Sequence, residues 1–165
     1  LMGFDTTKLK QKLKIAEGEL KYYKNQSQNN IANETKKALA SKDQEFAFKD
    51  AVEAVIRAEN LNQMYEVALI YVSNAITNIE VLKQKPLLED TKQMIATLQL
   101  LAPKLKSDTL KESVGMLTAC KAQSVELVEQ QVKLAACDNV DQTFVSFRCQ
   151  QILGNDGRIL GLGDL

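Results

Sequence analysis

Ala38-Leu39-Ala40-Ser41-Lys42-Asp43-Gln44-Glu45, running on through Val52-Glu53 to Ile56-Arg57-Ala58-Glu59-Asn60, is the stretch that decides the fold. The short polar turn Ala40-Ser41-Lys42-Asp43 separates two apolar stripes. Upstream, apolar residues recur at Leu9, Leu13, Ala16, Leu20, Tyr23, Ile31 and Ala38. Downstream they recur at Phe48, Ala51, Val55, Ala58, Leu61, Met64, Ala68, Tyr71, Ala75, Ile79 and Leu82. Nearly all these steps are three or four residues, the period of one helix face. Neither helix is stable alone in water, and the short turn makes each the other's nearest partner, folded back antiparallel. At ~1.5 Å per residue, a helix from Thr7 to Leu39 is ~50 Å long and its partner from Gln44 to Lys83 is ~60 Å. A hairpin longer than a small domain needs suggests a surface to present. A turn centred on Ser41 and Lys42 predicts Ile31 opposite Val52, Leu20 opposite Met64, and Leu13 opposite Ile70 or Tyr71.

Outward from the turn, Asp5, Thr6 and Thr7 offer N-caps for the first helix. The polar tract Asn25-Gln26-Ser27-Gln28-Asn29-Asn30 keeps the helical phase from Tyr23 to Ile31 and reads as helix. Ser41 with Gln44 forms a capping box for the second helix. Val67, Leu69, Ile70, Val72 and Ile76 widen its stripe and predict a core face, with Leu98 and Val125 or Val128 against it. Pro86 ends it. A third helix runs from Leu88 to Leu101, closed by Pro103. Thr109 with Glu112 opens a fourth, to Ala136, with the stripe Leu110, Val114, Leu117, Val125, Val128 and Val132. Cys137-Asp138-Asn139 is a turn, and a fifth helix spans Asp141 to Leu153, carrying Phe144, Val145, Phe147, Ile152 and Leu153. The fold class expected is all-α: a long antiparallel helical hairpin with shorter helices packed on one end. Residues 5–153 form one helical domain and 154–165 a flexible tail.

Composition agrees. Hydrophobic residues are 45% and charged residues 25%, ordinary for a globular chain, and only 7 Gly and 2 Pro favour long helices. The most apolar stretch, Met64 to Val72, is interrupted by Glu66 and falls short of the ~20 residues of a membrane span. Cys120, Cys137 and Cys149 share no motif spacing and read as small buried hydrophobes in a reducing compartment. Met2-Gly3 reads as a natural start, with Leu1 left over before it. Net charge is zero but unevenly spread. Residues 1–42 hold nine Lys against four acids, and the remainder reverses that excess. Lys8, Lys10, Lys12, Lys14, Lys21 and Lys24 carry most of it. They are the candidate membrane- or polymer-binding residues, with Lys10, Lys14, Lys21 and Lys24 grouped beside the Leu9-Leu13-Leu20 seam. A plain solvated helix face is the other reading, and both stay open here.

The residue types present point away from an enzyme. There is no His, the commonest general base and metal ligand. There is no CxxC pair, no Glu-x-x-His pattern and no Gly-rich phosphate loop. Glu17/Glu19 and Glu89/Asp90 read as solvated helix charges. No cofactor or metal is expected. With no Trp and few aromatics, no nucleic-acid partner is expected either.

The turn, Val52-Glu53 and Ile56-Arg57-Ala58-Glu59-Asn60 resemble the second-helix signature of the Increased Sodium Tolerance family of ESCRT-III-related regulators. There a Val-Glu pair precedes Ile-Arg-Glu-Asp, part of which Ala58-Glu59-Asn60 replaces in this chain. Leu101-Ala102-Pro103-Lys104-Leu105 and the helix after it, through Cys120-Lys121-Ala122, are similar to the family's Ala-Pro-Arg-Leu segment and its next helix. The resemblance covers residues 8–135 in order. It implies an ESCRT-III-like bundle whose fifth helix folds back on the hairpin, and a non-enzymatic assembly factor. It further implies binding to ESCRT-III charged multivesicular body subunits of the first class and regulation of the AAA ATPase that disassembles the polymer. The expected setting is cytoplasmic, peripheral to endosomal membranes, with an anionic membrane surface as a further partner. Family members dock the ATPase through a long tail, so a chain ending at Leu165 is either a piece or lacks that activity. A soluble helical adaptor with no membrane or polymer activity is the alternative.

Overall fold

A computed structural model of the chain describes residues 6–79, 89–119 and 140–154. All regular structure among them is helical: α1 Thr6–Ala40, α2 Glu45–Thr77, α3 Glu89–Leu101, a 3-10 turn Ala102–Lys104, α4 Asp108–Ala119 and α5 Gln142–Gly154. The fold is all-α, with α1 and α2 as the long hairpin. Pro86, the fourth helix beyond Ala119, the turn Cys137-Asp138-Asn139 and the tail lie outside the described residues, as do Cys120, Cys137, Val125 and Val128. No described helix is long and apolar enough to cross a membrane.

The polar tract Asn25 to Asn30 is helical, as its phase predicts. It contains no Gly or Pro to stop the helix, and Ser27 within it is buried. The turn differs from the sequence reading. Ser41 does not cap α2. Its hydroxyl donates back to the carbonyls of Lys37 and Ala38 at 3.3 and 3.2 Å, closing α1. The first helical bond of α2 runs from Phe48 N to Gln44 O at 2.8 Å, so Gln44 takes the N-cap position.

Contacts divide the chain into two compact units. One holds the described residues of Leu1–Lys24 and Met64–Ala136, the other those of Asn25–Gln63 and Cys137–Leu165. In the first, the predicted seam of α1 is fully buried at Leu9, Leu13, Ala16 and Leu20, and that of α2 at Met64, Ala68, Val72 and Ala75. Met94, Ile95, Leu98 and Leu101 of α3 and Leu110, Val114 and Leu117 of α4 complete its interior. Ile70 is a correction. It is 59% exposed, while Val67 and Ile76 are half-buried. Ile70 follows Ala68 by two residues, about 200° around the helix, which carries it off the seam.

The hairpin register is also shifted. Glu17 pairs with Ser73, Tyr23 with Tyr65 and Lys24 with Glu66, pairs whose numbers add to 88 or 90, where the turn position predicted about 83. Leu13 therefore does not face Ile70 or Tyr71. Two causes act together. The turn occupies Ser41 to Gln44, later than assumed. Side chains also lean toward their own helix N-terminus, so facing groups belong to residues numbered higher on both strands of the hairpin.

In the second unit, Ala38, Leu39, Phe48, Val52, Val55 and Ile56 form one apolar cluster with Val145 and Ile152 of α5. Polar contacts border it. Arg148 Nη2 donates to Glu59 Oε2 at 2.9 Å and Gln142 Nε2 to Glu53 Oε1 at 2.7 Å. Asp141 caps α5, accepting from Thr143 N at 2.8 Å. Phe144, Phe147 and Leu153, apolar in the sequence stripe, stay exposed.

Candidate interaction surface

α1 has no acid in its first turn, and all six candidate lysines lie between its start and Lys24. The structure sorts them. Lys12 Nζ lies against Glu112 Oε2 of α4 at 2.5 Å, Lys24 against Glu66 of α2 at 3.9 Å, and Lys21 against Glu17 one turn earlier at 4.0 Å. Such part-exposed pairs contribute on the order of 0–1 kcal/mol each. They also lower the positive field those lysines offer to a partner. Lys10 and Lys14 are different. Both are exposed, one turn apart, and neither has an ion pair among the described residues. They line a cleft of about 400 Å³ with Thr6, Thr7, Gln11, Thr77 and Ile79. Lys8 is exposed too, but it precedes Lys10 by two residues, about 200° around the helix, and does not line the cleft. The expected group of Lys10, Lys14, Lys21 and Lys24 thus separates into two ion-paired lysines and two that share a cleft.

Glu17 and Glu19 are not solvated helix charges. Glu17 accepts from Ser73 Oγ of α2 at 2.6 Å. Glu19 accepts from Ser107 Oγ at 2.7 Å and from Thr109 Oγ1 at 3.2 Å, and Ser107 Oγ in turn accepts from Leu110 N at 3.0 Å. The N-cap of α4 is therefore Ser107, not Thr109, and it is held from α1. No local pattern marks this, because the decisive partner lies 88 residues away. Nearby, Tyr65 stacks on Tyr23 with ring centroids 6.3 Å apart, and its hydroxyl accepts from Lys106 N at 3.0 Å. Burial pushes the Tyr65 phenol pKa up, against the hydrogen bond from Lys106 that favours the phenolate.

In the second unit Cys149 is a free, half-buried thiol whose pKa burial raises, with Lys49 opposing. The described residues hold no group of three or more metal-ligating side chains. They present ion pairs, exposed lysines and exposed apolar side chains. The chain matches no model of a known protein family and no curated protein.

Proposed function

We propose that this chain is a non-enzymatic, ESCRT-III-related assembly factor. It binds ESCRT-III charged multivesicular body subunits of the first class and regulates assembly or disassembly of their polymer at endosomal membranes. The observation that carries the reading is the core shared by the hairpin turn and α5. Val145 and Ile152 lie in one cluster with Ala38, Leu39, Phe48 and Val52, in keeping with the folded-back fifth helix that the sequence resemblance implies. Lys10 and Lys14 supply the anion-facing part of α1. Each adds ~1 kcal/mol against an anionic surface, and the effect falls with salt.

The experiment is electron microscopy of the chain mixed with a first-class ESCRT-III subunit, beside pelleting with phosphatidylserine vesicles. Copolymer is expected with the wild-type chain. Lys10→Glu with Lys14→Glu abolishes vesicle binding or copolymer formation while leaving the thermal midpoint nearly unchanged. Loss of neither activity reduces the basic stretch to a solvated face. Absence of both in the wild-type chain favours the soluble adaptor, a reading that the ion pairing of Lys12, Lys21 and Lys24 also suits.

A further inference from the structure

The outward side of α1 carries a second surface, which meets the Lys10–Lys14 cleft at Gln11 and Lys14 but does not rest on the assembly reading. The 100° step of the helix sets Gln11, Ile15, Gly18 and Tyr22 on one line. Ile15 is 55% and Tyr22 58% exposed. Gly18 between them is exposed too, and a Cβ built on it meets nothing within 4 Å. Two apolar knobs therefore flank a flat, open step where another backbone approaches closely. The knobs are seven residues apart, about two turns or ~10 Å, the repeat of apolar anchors on a docked amphipathic helix.

A cleft of about 780 Å³ runs alongside, between Gly18 and Tyr22 on one side and the connection around Lys104, Lys106 and Lys111 on the other. Its acids are Glu19, which accepts from the hydroxyls of Ser107 and Thr109, and Asp108, which pairs with Lys111 at 3.6 Å, so its three lysines outnumber its acids by one. On the opposite edge of the stripe, the helical step places Lys14, which has no ion pair among the described residues, and Lys21, which shares its charge with Glu17 at 4.0 Å. An apolar line is thus bordered by lysines on both sides.

We propose that the Ile15–Gly18–Tyr22 stripe and this cleft dock an acidic amphipathic helix of a partner protein. Its apolar face lies over Gly18 between Ile15 and Tyr22. Its carboxylates meet Lys104, Lys106 and Lys111 on one flank and Lys14 and Lys21 on the other. Charge complementarity selects this partner: a basic helix is repelled from both flanks.

The test uses the whole chain and a fluorescein-labelled helical peptide with Leu along one face and Glu on the others, beside a control with Lys in place of every Glu. Saturable anisotropy is expected with the acidic peptide only, weakening as salt rises. Tyr22→Ala, Gly18→Leu and the pair Lys106→Glu with Lys111→Glu each weaken binding by roughly tenfold or more, the loss typical of removing one anchor. A Cβ at position 18 meets nothing within 4 Å and replacing Gly raises helix propensity, so the thermal midpoint of Gly18→Leu is expected to hold or rise, and measuring it separates a loss of binding from a loss of folding. Equal binding of both peptides, no binding of either, or acidic-peptide binding untouched by all three changes overturns the proposal. So does self-association of the chain that Tyr22→Ala abolishes, which assigns the stripe to a second copy. Binding to phosphatidylserine vesicles that Gly18→Leu abolishes overturns it in favour of lipid.

Discussion

Leu13 and Ile70 are both apolar residues on long helices, and their surroundings separate them. Leu13 is fully buried, and Leu13→Ala removes methyl groups from a packed interior at a cost of ~2–5 kcal/mol. Ile70 is mostly in water, and Ile70→Ala changes stability by no more than about 0.5 kcal/mol. Urea titration of the two variants checks the contrast, and equal losses would restore Ile70 to the core. Periodicity found the buried line of α2 because that line repeats every three or four residues. It did not separate Ile70 from the line, because Val67 to Val72 is apolar on nearly every side and amphipathicity vanishes there. Tyr65 carries a second residue-scale prediction. Its pKa lies above the ordinary value of 10.0, so the fold favours the neutral phenol. The unfolded chain ionises first as pH rises. The stabilisation is complete below pH 10 and is lost as pH climbs from there through the folded value. Urea midpoints from pH 8 to 11 should fall more steeply for the native chain than for Tyr65→Phe. The comparison cancels every group that the two chains share.

At the scale of the element, helix existence was legible and helix ends were not. Among the described residues, the five helices fall on the segments that the apolar period marked, since a stripe of many residues averages out local noise. Both predicted capping boxes failed, because a cap depends on a few atoms. Thr109 with Glu112 matches the local pattern, yet α4 starts from Ser107, whose hydroxyl bonds both Leu110 N and the Glu19 carboxylate. Ser107→Ala should cost ~1–2 kcal/mol through the lost cap and the unmet carboxylate. Glu19→Gln in the same chain should lower that cost, because the two groups share one network. A coupling of ~0.5–3 kcal/mol is expected from the double-mutant cycle, and additivity would show that Glu19 does not hold the cap. Of the candidate site, the six lysines were visible as composition. Their division was not, because it depends on where Glu66 and Glu112 arrive from other helices.

For the molecule as a whole, each of the two units has its own buried interior, and each draws on segments far apart in sequence. Hydrogen exchange should show this as two protection classes, with amides of Val52 to Ile56 and of α5 exchanging together, and those around Leu13, Ala68 and Leu98 in the other. One common class across all of them would mean that the contact division has no energetic counterpart. The wide spacing also governs how the chain is made. Glu53 and Glu59 meet Gln142 and Arg148, each pair 89 residues apart, beside the core that Val145 and Ile152 complete. A ribosome adding about 5–20 residues per second needs roughly 5–20 s to reach α5 after the turn has emerged. Throughout that interval the nascent hairpin shows Phe48, Val52, Val55 and Ile56 without their cover, the kind of transient apolar surface that makes an unfinished chain prone to aggregate.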